Sequence, residues 1–359
     1  MATTARTRVG LIGCGFFARN HLHAWKDLAA AGADLVAVCD VDREKAEAAA
    51  REFAVPAAYR DSAAMLAAER LDLVDVVTRM ETHRALALQA IGAGVRGVVV
   101  QKPFAPAWAD CVAMVEAARR AGTFLAVHEN FRFQRPMLEV REVLRSGAIG
   151  EPSWARIAFR TGYDVYRTQP YFYGEERLAI LDVGIHVLDL ARVFLGEVER
   201  VSCETQRRNP KVRAEDTATM LLRHVSGAVS VVECTYESRT LPDPFPETLL
   251  TIEGPLGSIV VEPGLLMRLT AGGEAVTREI GAPLLPWTAR PWHVAQESVL
   301  ATSRHLLESF RNGTPPETSG EDNLKTFALA EAAYAAAAEG RAVRPERVPA
   351  GAAASAAGT

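Results

Sequence analysis

The sequence predicts an α/β chain: a doubly wound parallel sheet, followed by an α+β region with an open-faced, predominantly antiparallel sheet. Three observations predict it. Short, continuously apolar strands alternate with helices as far as residue 128, the pattern of a parallel sheet covered on both faces. A glycine-rich turn joins the first strand to the first helix. From residue 154 onward β-rich segments separated by Gly/Pro punctuation dominate, as in a sheet with helices on one face.

In chain order, 9–12 is a strand ending in glycines and 16–31 reads as a helix. Strand 35–39 leads into an Ala- and Glu-rich helix over 43–53. Strand 73–78 precedes helix 82–93, strand 97–100 precedes helix 110–121, and 124–127 is the fifth strand. Right-handed crossovers make this alternation doubly wound. Composition shifts near His128, so the domains are expected at 1–128 and 129–343. The second opens with helix 136–146, stopped by Gly147 and Gly150. Strands follow at 154–161, 198–206, 217–223, 229–236, 248–253 and 258–261, interrupted by helix 181–195. Helices 294–311 and 321–339 close it, with the option of packing back on the first domain. The tail, 344–359, rich in Ala, Gly, Ser and Thr from Pro349, reads as disordered.

A length of 359 residues favours two domains, and 49% hydrophobic residues supply a sizeable core. The net charge of -4, without a Lys/Arg cluster, argues against nucleic acid and anionic membranes as partners. No stretch reaches the ~18 apolar residues of a membrane helix. The first eight residues carry neither a hydrophobic leader core nor a twin arginine, so a cytoplasmic location is expected. Five cysteines without a CxxC pair read as reduced thiols, with no disulfide framework and no metal site.

Gly13-Cys14-Gly15-Phe16-Phe17-Ala18 fits G-x-G-x-x-G/A between a strand and a helix. Gly13 permits the tight turn, Gly15 lets backbone approach a pyrophosphate, and Ala18 keeps the helix close to the sheet. The helix N-terminus offers amides and a positive dipole end to phosphates. Asp40, ending the second strand, is placed to accept from both adenosine-ribose hydroxyls and to repel a 2′-phosphate. No Arg directly follows it, which favours NAD over NADP. The plainer alternatives are a ligand-free turn and a capping role for Asp40, although Asp42 is the better cap.

Lys102, followed by Pro103, ends the fourth strand and points to the crevice of an open α/β sheet. Asp182 and His186 lie four apart on one helix face, with Asp189 three further on. Taken singly, a lone Lys is more often a solvated charge, and an isolated Asp/His pair more often structural. A metal would lack a fourth ligand here, and Lys102 would oppose it.

In this order the glycine loop, Gln101-Lys102-Pro103 and the Asp182–Leu190 segment resemble the glucose–fructose oxidoreductase / inositol dehydrogenase family (Gfo/Idh/MocA). The resemblance extends to about Val343 and includes Thr78…His83, Asn130-Phe131-Arg132-Phe133 and Ser146–Gly150. It implies an NAD-binding Rossmann domain followed by an open-faced sheet domain. It also implies Lys102, Asp182 and His186 as the catalytic set. Cofactor contacts are expected from Gly13, Gly15, Phe16, Phe17, Asp40, Thr78, His83, Gln101, Lys102 and Asn130. Two positions depart from the family pattern: Gln101 stands for the usual Glu, and Arg79 for the usual Pro. Gln-Lys-Pro together with His128-Glu129-Asn130-x-Arg132-Phe133 is similar to the branch containing bacterial D-apiose dehydrogenases.

The expected chemistry is hydride transfer between nicotinamide and a hydroxyl or keto carbon of a sugar-like substrate. His186 is the expected base, Lys102 the stabiliser of the alkoxide, and Asp182 a hydroxyl ligand that biases their protons. Asn130 is expected on nicotinamide or substrate, against a turn role. Arg160 and Tyr163, with Tyr166 and Arg167, are candidates for a sugar ring, against a polar loop. Trp287, Trp292 and His293 are candidates to cover substrate or to meet another subunit. His21 and His23 read as packing residues. Two alternatives stay open: redox-assisted glycoside cleavage through a keto-sugar, and a non-catalytic NAD- and sugar-binding regulator. An open sheet face must be covered, so a homodimer or homotetramer is expected.

Overall fold

The computed structural model describes residues 6–346. Strands β1 (Thr7–Ile12), β2 (Ala33–Cys39), β3 (Ala57–Tyr59), β4 (Leu73–Val76), β5 (Gly97–Gln101) and β6 (Phe124–His128) form one parallel sheet in the order β3-β2-β1-β4-β5-β6. Helices α1 (Ala18–Asp27), α2 (Arg43–Glu52), α3 (Ser62–Ala68), α4 (Met80–Gly92) and α5 (Trp108–Ala121) cover it. The expected doubly wound sheet is present. The strand order reverses between β1 and β4, so a crevice opens beyond their carboxyl ends.

Local details differ from expectation. The first helix starts at Ala18 rather than 16 and ends at Asp27, followed by a 3-10 turn, Leu28–Ala31, that stops at Gly32. Phe16 and Phe17 stay in the turn facing the crevice. Strand β3 and helix α3 were not expected. Three residues are too few to show a period, and an edge strand needs little apolar content.

The second sheet has the order β14-β13-β12-β11-β7-β10-β9-β8. It comprises β7 (Trp154–Arg160), β8 (Val198–Gln206), β9 (Thr217–His224), β10 (Val229–Thr235), β11 (Leu249–Gly254), β12 (Gly257–Glu262), β13 (Leu266–Ala271) and β14 (Glu274–Glu279). Every neighbouring pair is antiparallel except β7–β10. The last hairpin lay beyond the expected strands. Its outer strand is exposed throughout, so it carries no inward apolar face to read. Helix α6 (Arg135–Arg145) precedes this sheet, and α7 (Ile185–Leu195), α8 (His293–Asn312) and α9 (Gly320–Glu339) complete the chain.

Strand alternation sorts the second sheet into two faces. Ile157, Phe159, Met220, Leu222, Val232 and Cys234 are buried beneath α7 and α9. The opposite face carries Arg156, Val231, Glu233 and Leu221, the last 50% exposed. Helix α8 returns to the first sheet, packing on α1 and β6 and burying Leu306 and Leu307 with Val9, Leu11 and Trp25. Among the described residues no helix is long and apolar enough to cross a membrane. The tail from Pro349 lies outside the described residues.

Candidate active site

A cleft of about 730 Å³ runs from the glycine turn, along the carboxyl ends of β1, β4 and β5, to the start of α7. At its first end Gly13 has φ +99°, and a Cβ there would lie 2.3 Å from the Val77 carbonyl oxygen, so only glycine fits. Gly15 has open space where its Cβ would stand, and that space suits a pyrophosphate close to backbone amides. The Asp40 carboxylate accepts from the Cys14 amide at 2.7 Å and from the Asp42 amide at 2.8 Å, tying the turn to the end of β2. Asp42 is the residue that caps α2, accepting from the amides of Glu44 and Lys45, so Asp40 keeps its place on the cleft wall.

At the other end Lys102 leaves the terminus of β5. Its Nζ donates to Asp182 Oδ1 at 2.7 Å and to the Asp182 carbonyl at 2.8 Å. The Tyr236 hydroxyl donates to Asp182 Oδ2. Asp182 lies in a π-helical turn, Ile180–Gly184, which precedes the regular helix expected as one piece from 181. A π-turn holds an extra residue and rotates what precedes it. The Glu215 carboxylate anchors the approach by accepting from the amides of Leu178 and Ile180. Gly184 lets the turn lie against β10, since a Cβ would be 3.2 Å from Cys234 Sγ.

His186 stands one turn on, its ring stacked on Phe131 with centroids 3.7 Å apart. Its Nδ1 meets Glu129 Oε1, leaving Nε2 for the cleft that His186 lines. Burial, and then the Lys102 charge, hold the imidazole well below its ordinary pKa, so the ring is neutral. Burial pulls the Asp182 carboxyl upward, but Lys102 and the Tyr236 hydroxyl outweigh it and keep the group ionised. Burial, followed by Asp182, drives the Tyr236 phenol far up, so it remains a donor. An ammonium, an ionised carboxylate, a phenol and a neutral imidazole thus converge. Such a set can orient a hydroxyl, stabilise negative charge on its oxygen and accept its proton.

The other expected residues divide. Thr78, Gln101 and Asn130 line the cleft with Phe16 and Phe17. The Gln101 amide is already engaged: Oε1 accepts from the Lys102 amide at 2.6 Å, and Nε2 meets His21 Nε2 at 3.3 Å. His21 Nδ1 in turn contacts buried Asp75 at 2.8 Å. An amide satisfies both neighbours where a carboxylate would need a protonated His21. The Asn130 amide donates to Ser298 Oγ at 2.7 Å, which leaves its oxygen as the free polar end. His83 is buried outside the cleft wall, with ring nitrogens on the carbonyls of Thr78, Pro103 and Phe104. It therefore shapes the loops that carry Thr78 and Lys102.

Arg160 does not enter the cleft. Strand alternation puts it on the open sheet face, where it pairs with Glu233. Tyr163 stacks behind Phe245, and Phe245 and Trp292 form the wall in its stead. Trp287 turns away to stack on His23 and donate to Asp27, and His293 is buried against the Pro291 carbonyl. Asp189 has no contact with His186: it holds the Arg132 guanidinium through both oxygens. Arg79 is ion-paired with Glu81 and Glu175 and lies over the Tyr171 ring.

Two residues in contact with the expected set were not singled out from the sequence. Tyr236 continues the inward row of Val232 and Cys234 one step past β10, and that alternation was a usable signal. Glu129 follows β6 as Asp40 follows β2, but its partner is 57 positions away, and nothing local announces it.

Both regions of the chain are similar to known proteins. Residues 7–129 match the model described as an oxidoreductase family with an NAD-binding Rossmann fold, and 137–260 match the GFO/IDH/MocA C-terminal domain. The chain is 47% identical over 341 residues to a D-apiose dehydrogenase of Paraburkholderia graminis, covering 95% of this chain and 90% of that protein. It is 46% identical to a D-apiose dehydrogenase of Rhizobium rhizogenes, covering 93% and 96%. A crystal structure of an oxidoreductase from Agrobacterium radiobacter in complex with NAD+, L-tartaric acid and magnesium superposes with a TM-score of 0.92 at 45% identity, covering 95% and 98%. With both regions matched and relatives this similar over nearly its whole length, the chain belongs to the GFO/IDH/MocA family and is an NAD-binding oxidoreductase.

Proposed function

We propose that the protein is an NAD-dependent sugar dehydrogenase acting on D-apiose or a closely similar branched aldose. One observation carries the reading. A neutral imidazole nitrogen, an ammonium and an ionised carboxylate converge at the far end of the cleft that begins at the glycine turn, in a chain matching D-apiose dehydrogenases over 95% of its length. When bound, NAD+ supplies the hydride acceptor. His186 Nε2 accepts the proton of the substrate hydroxyl. Lys102 Nζ holds that oxygen as negative charge grows on it. Asp182, anchored by Tyr236, aims Lys102 and offers an acceptor to the reacting or a neighbouring hydroxyl. Gly13, Gly15, Phe16, Phe17, Asp40, Thr78, Gln101 and Asn130 are the residues placed to hold the dinucleotide. Phe131, Phe245 and Trp292 give the substrate end an apolar wall that excludes water.

The exposed face of the second sheet supports a homodimer or homotetramer, and free cysteines fit a cytoplasmic enzyme. The deciding experiment follows NADH absorbance with D-apiose, myo-inositol and L-tartrate. D-apiose should lead in kcat/KM by at least about ten-fold, the scale of one well-placed contact. A lead for another substrate overturns the apiose reading. Sugar release from a glycoside without net NADH would replace it with redox-assisted cleavage.

A further inference from the structure

Glu129 has no part in the steps above, yet it touches the base. It is fully buried just beyond β6. Its Oε1 accepts from the Phe131 amide at 3.1 Å and meets His186 Nδ1, while its Oε2 is buried with no hydrogen-bond partner. A half-satisfied carboxylate in an apolar interior is costly, and a neutral side chain of the same shape would cost less. The stacked Phe131 ring fixes the imidazole plane, so the Glu129–Nδ1 contact and the cleft-facing Nε2 lie on opposite sides of one held ring.

We infer that Glu129 is the positioning residue of proton transfer: it selects the Nδ1–H tautomer of His186 and balances the charge when Nε2 accepts the substrate proton. The inference rests on the reading of His186 as the base. As the carbinol C–H electron pair leaves with the hydride to NAD+, the O–H bond breaks and an Nε2–H bond forms. The new positive charge is shared along Nδ1–H···Oε1, and the proton later leaves to water. Without Glu129 this would be unfavourable, because Lys102 faces the ring and opposes an imidazolium. His186 is otherwise faced by Asp182 and Asp189, and Glu129 by Lys102 and Arg132. Burial pushes the Glu129 carboxyl up to about 7, despite the Phe131 amide, Lys102 and Arg132.

Two measurements test this. In wild-type protein without substrate, imidazole nitrogen NMR should find His186 protonated at Nδ1, with a far-downfield hydrogen-bonded proton, and bare at Nε2. In Glu129→Gln that proton should move upfield. With substrate, Glu129→Gln should lower the plateau kcat of oxidation at least about ten-fold. It should also move the pH midpoint of kcat acidward by about one unit, because the pair then holds its proton less tightly. The KM for NAD+ should hold, and Glu129→Asp should recover part of kcat. An unchanged midpoint, or an Nε2-protonated ring in wild type, overturns the inference. Should Glu129→Gln not fold, the wild-type tautomer still decides. Failure of D-apiose as substrate would leave the NMR result standing, so the two readings fail separately.

Discussion

In the reaction proposed above Lys102 and His186 act on one oxygen, and their substitutions should show it. Lys102→Ala and His186→Ala should each lower kcat at least ~10²-fold, and the losses should not add in the double variant. The KM for NAD+ should change little, because the glycine turn and Asp40, proposed to hold the dinucleotide, line the other end of the cleft. Steady-state kinetics check both statements, and near-normal turnover in His186→Ala would move the base elsewhere. Asp40→Ala should relax the preference for NAD over NADP by at least ~10-fold, about 1.4 kcal/mol. It should also raise the KM for NAD+, since the same carboxylate holds the Cys14 amide. Asp40→Asn, which keeps an acceptor there, separates the two effects. The grouping of Lys102, Asp182 and His186 was readable because Lys102 ends a strand and Asp182 and His186 lie four apart at the start of one helix. Glu129 and Tyr236 reach that grouping by contacts across 57 and 54 positions, which no local pattern announces for Glu129 and only strand alternation hints at for Tyr236.

At the scale of elements, α7 is nearly all apolar, yet it buries His186, Asp189 and Arg192. Asp189, three positions beyond His186, closes a buried cluster with Arg132 and Thr326, and Arg132 continues to Asp322 at the start of α9. This cluster joins the turn between β6 and α6 to α7 and α9. Asp189→Ala takes the bidentate carboxylate from the buried Arg132 guanidinium and leaves it the Asp322 carboxylate alone, so it should destabilise the fold by about 3 kcal/mol, the low end for a broken buried pair. Urea unfolding would read this as a lower midpoint, while the folded fraction keeps most of its kcat. A loss confined to kcat would return Asp189 to the active site. Strands with an inward apolar row were legible in the sequence. β14 was not, because it has no such row, and neither was the π-turn, because the residues around Asp182 are apolar or glycine and a change of phase among them leaves no mark.

At the scale of the molecule, one face of an eight-stranded sheet is left bare by its own helices. Multi-angle light scattering at micromolar concentration should give a mass of two or four chains. A stable monomer would mean that the outer row around Leu221, Val231 and Arg156 is solvated as it stands. The return of α8 to the first sheet has a different consequence, one for biosynthesis. Strands β1 to β6 leave the ribosome early, but the cover over Val9, Leu11 and Trp25 is completed by Leu306 and Leu307. The nucleotide-binding half therefore waits, with part of its apolar surface uncovered, until translation is almost over. A stalled or truncated product ending before His293 would retain the glycine turn, Lys102 and His186 while exposing that surface, which makes it a client for chaperones and proteases rather than a smaller working enzyme.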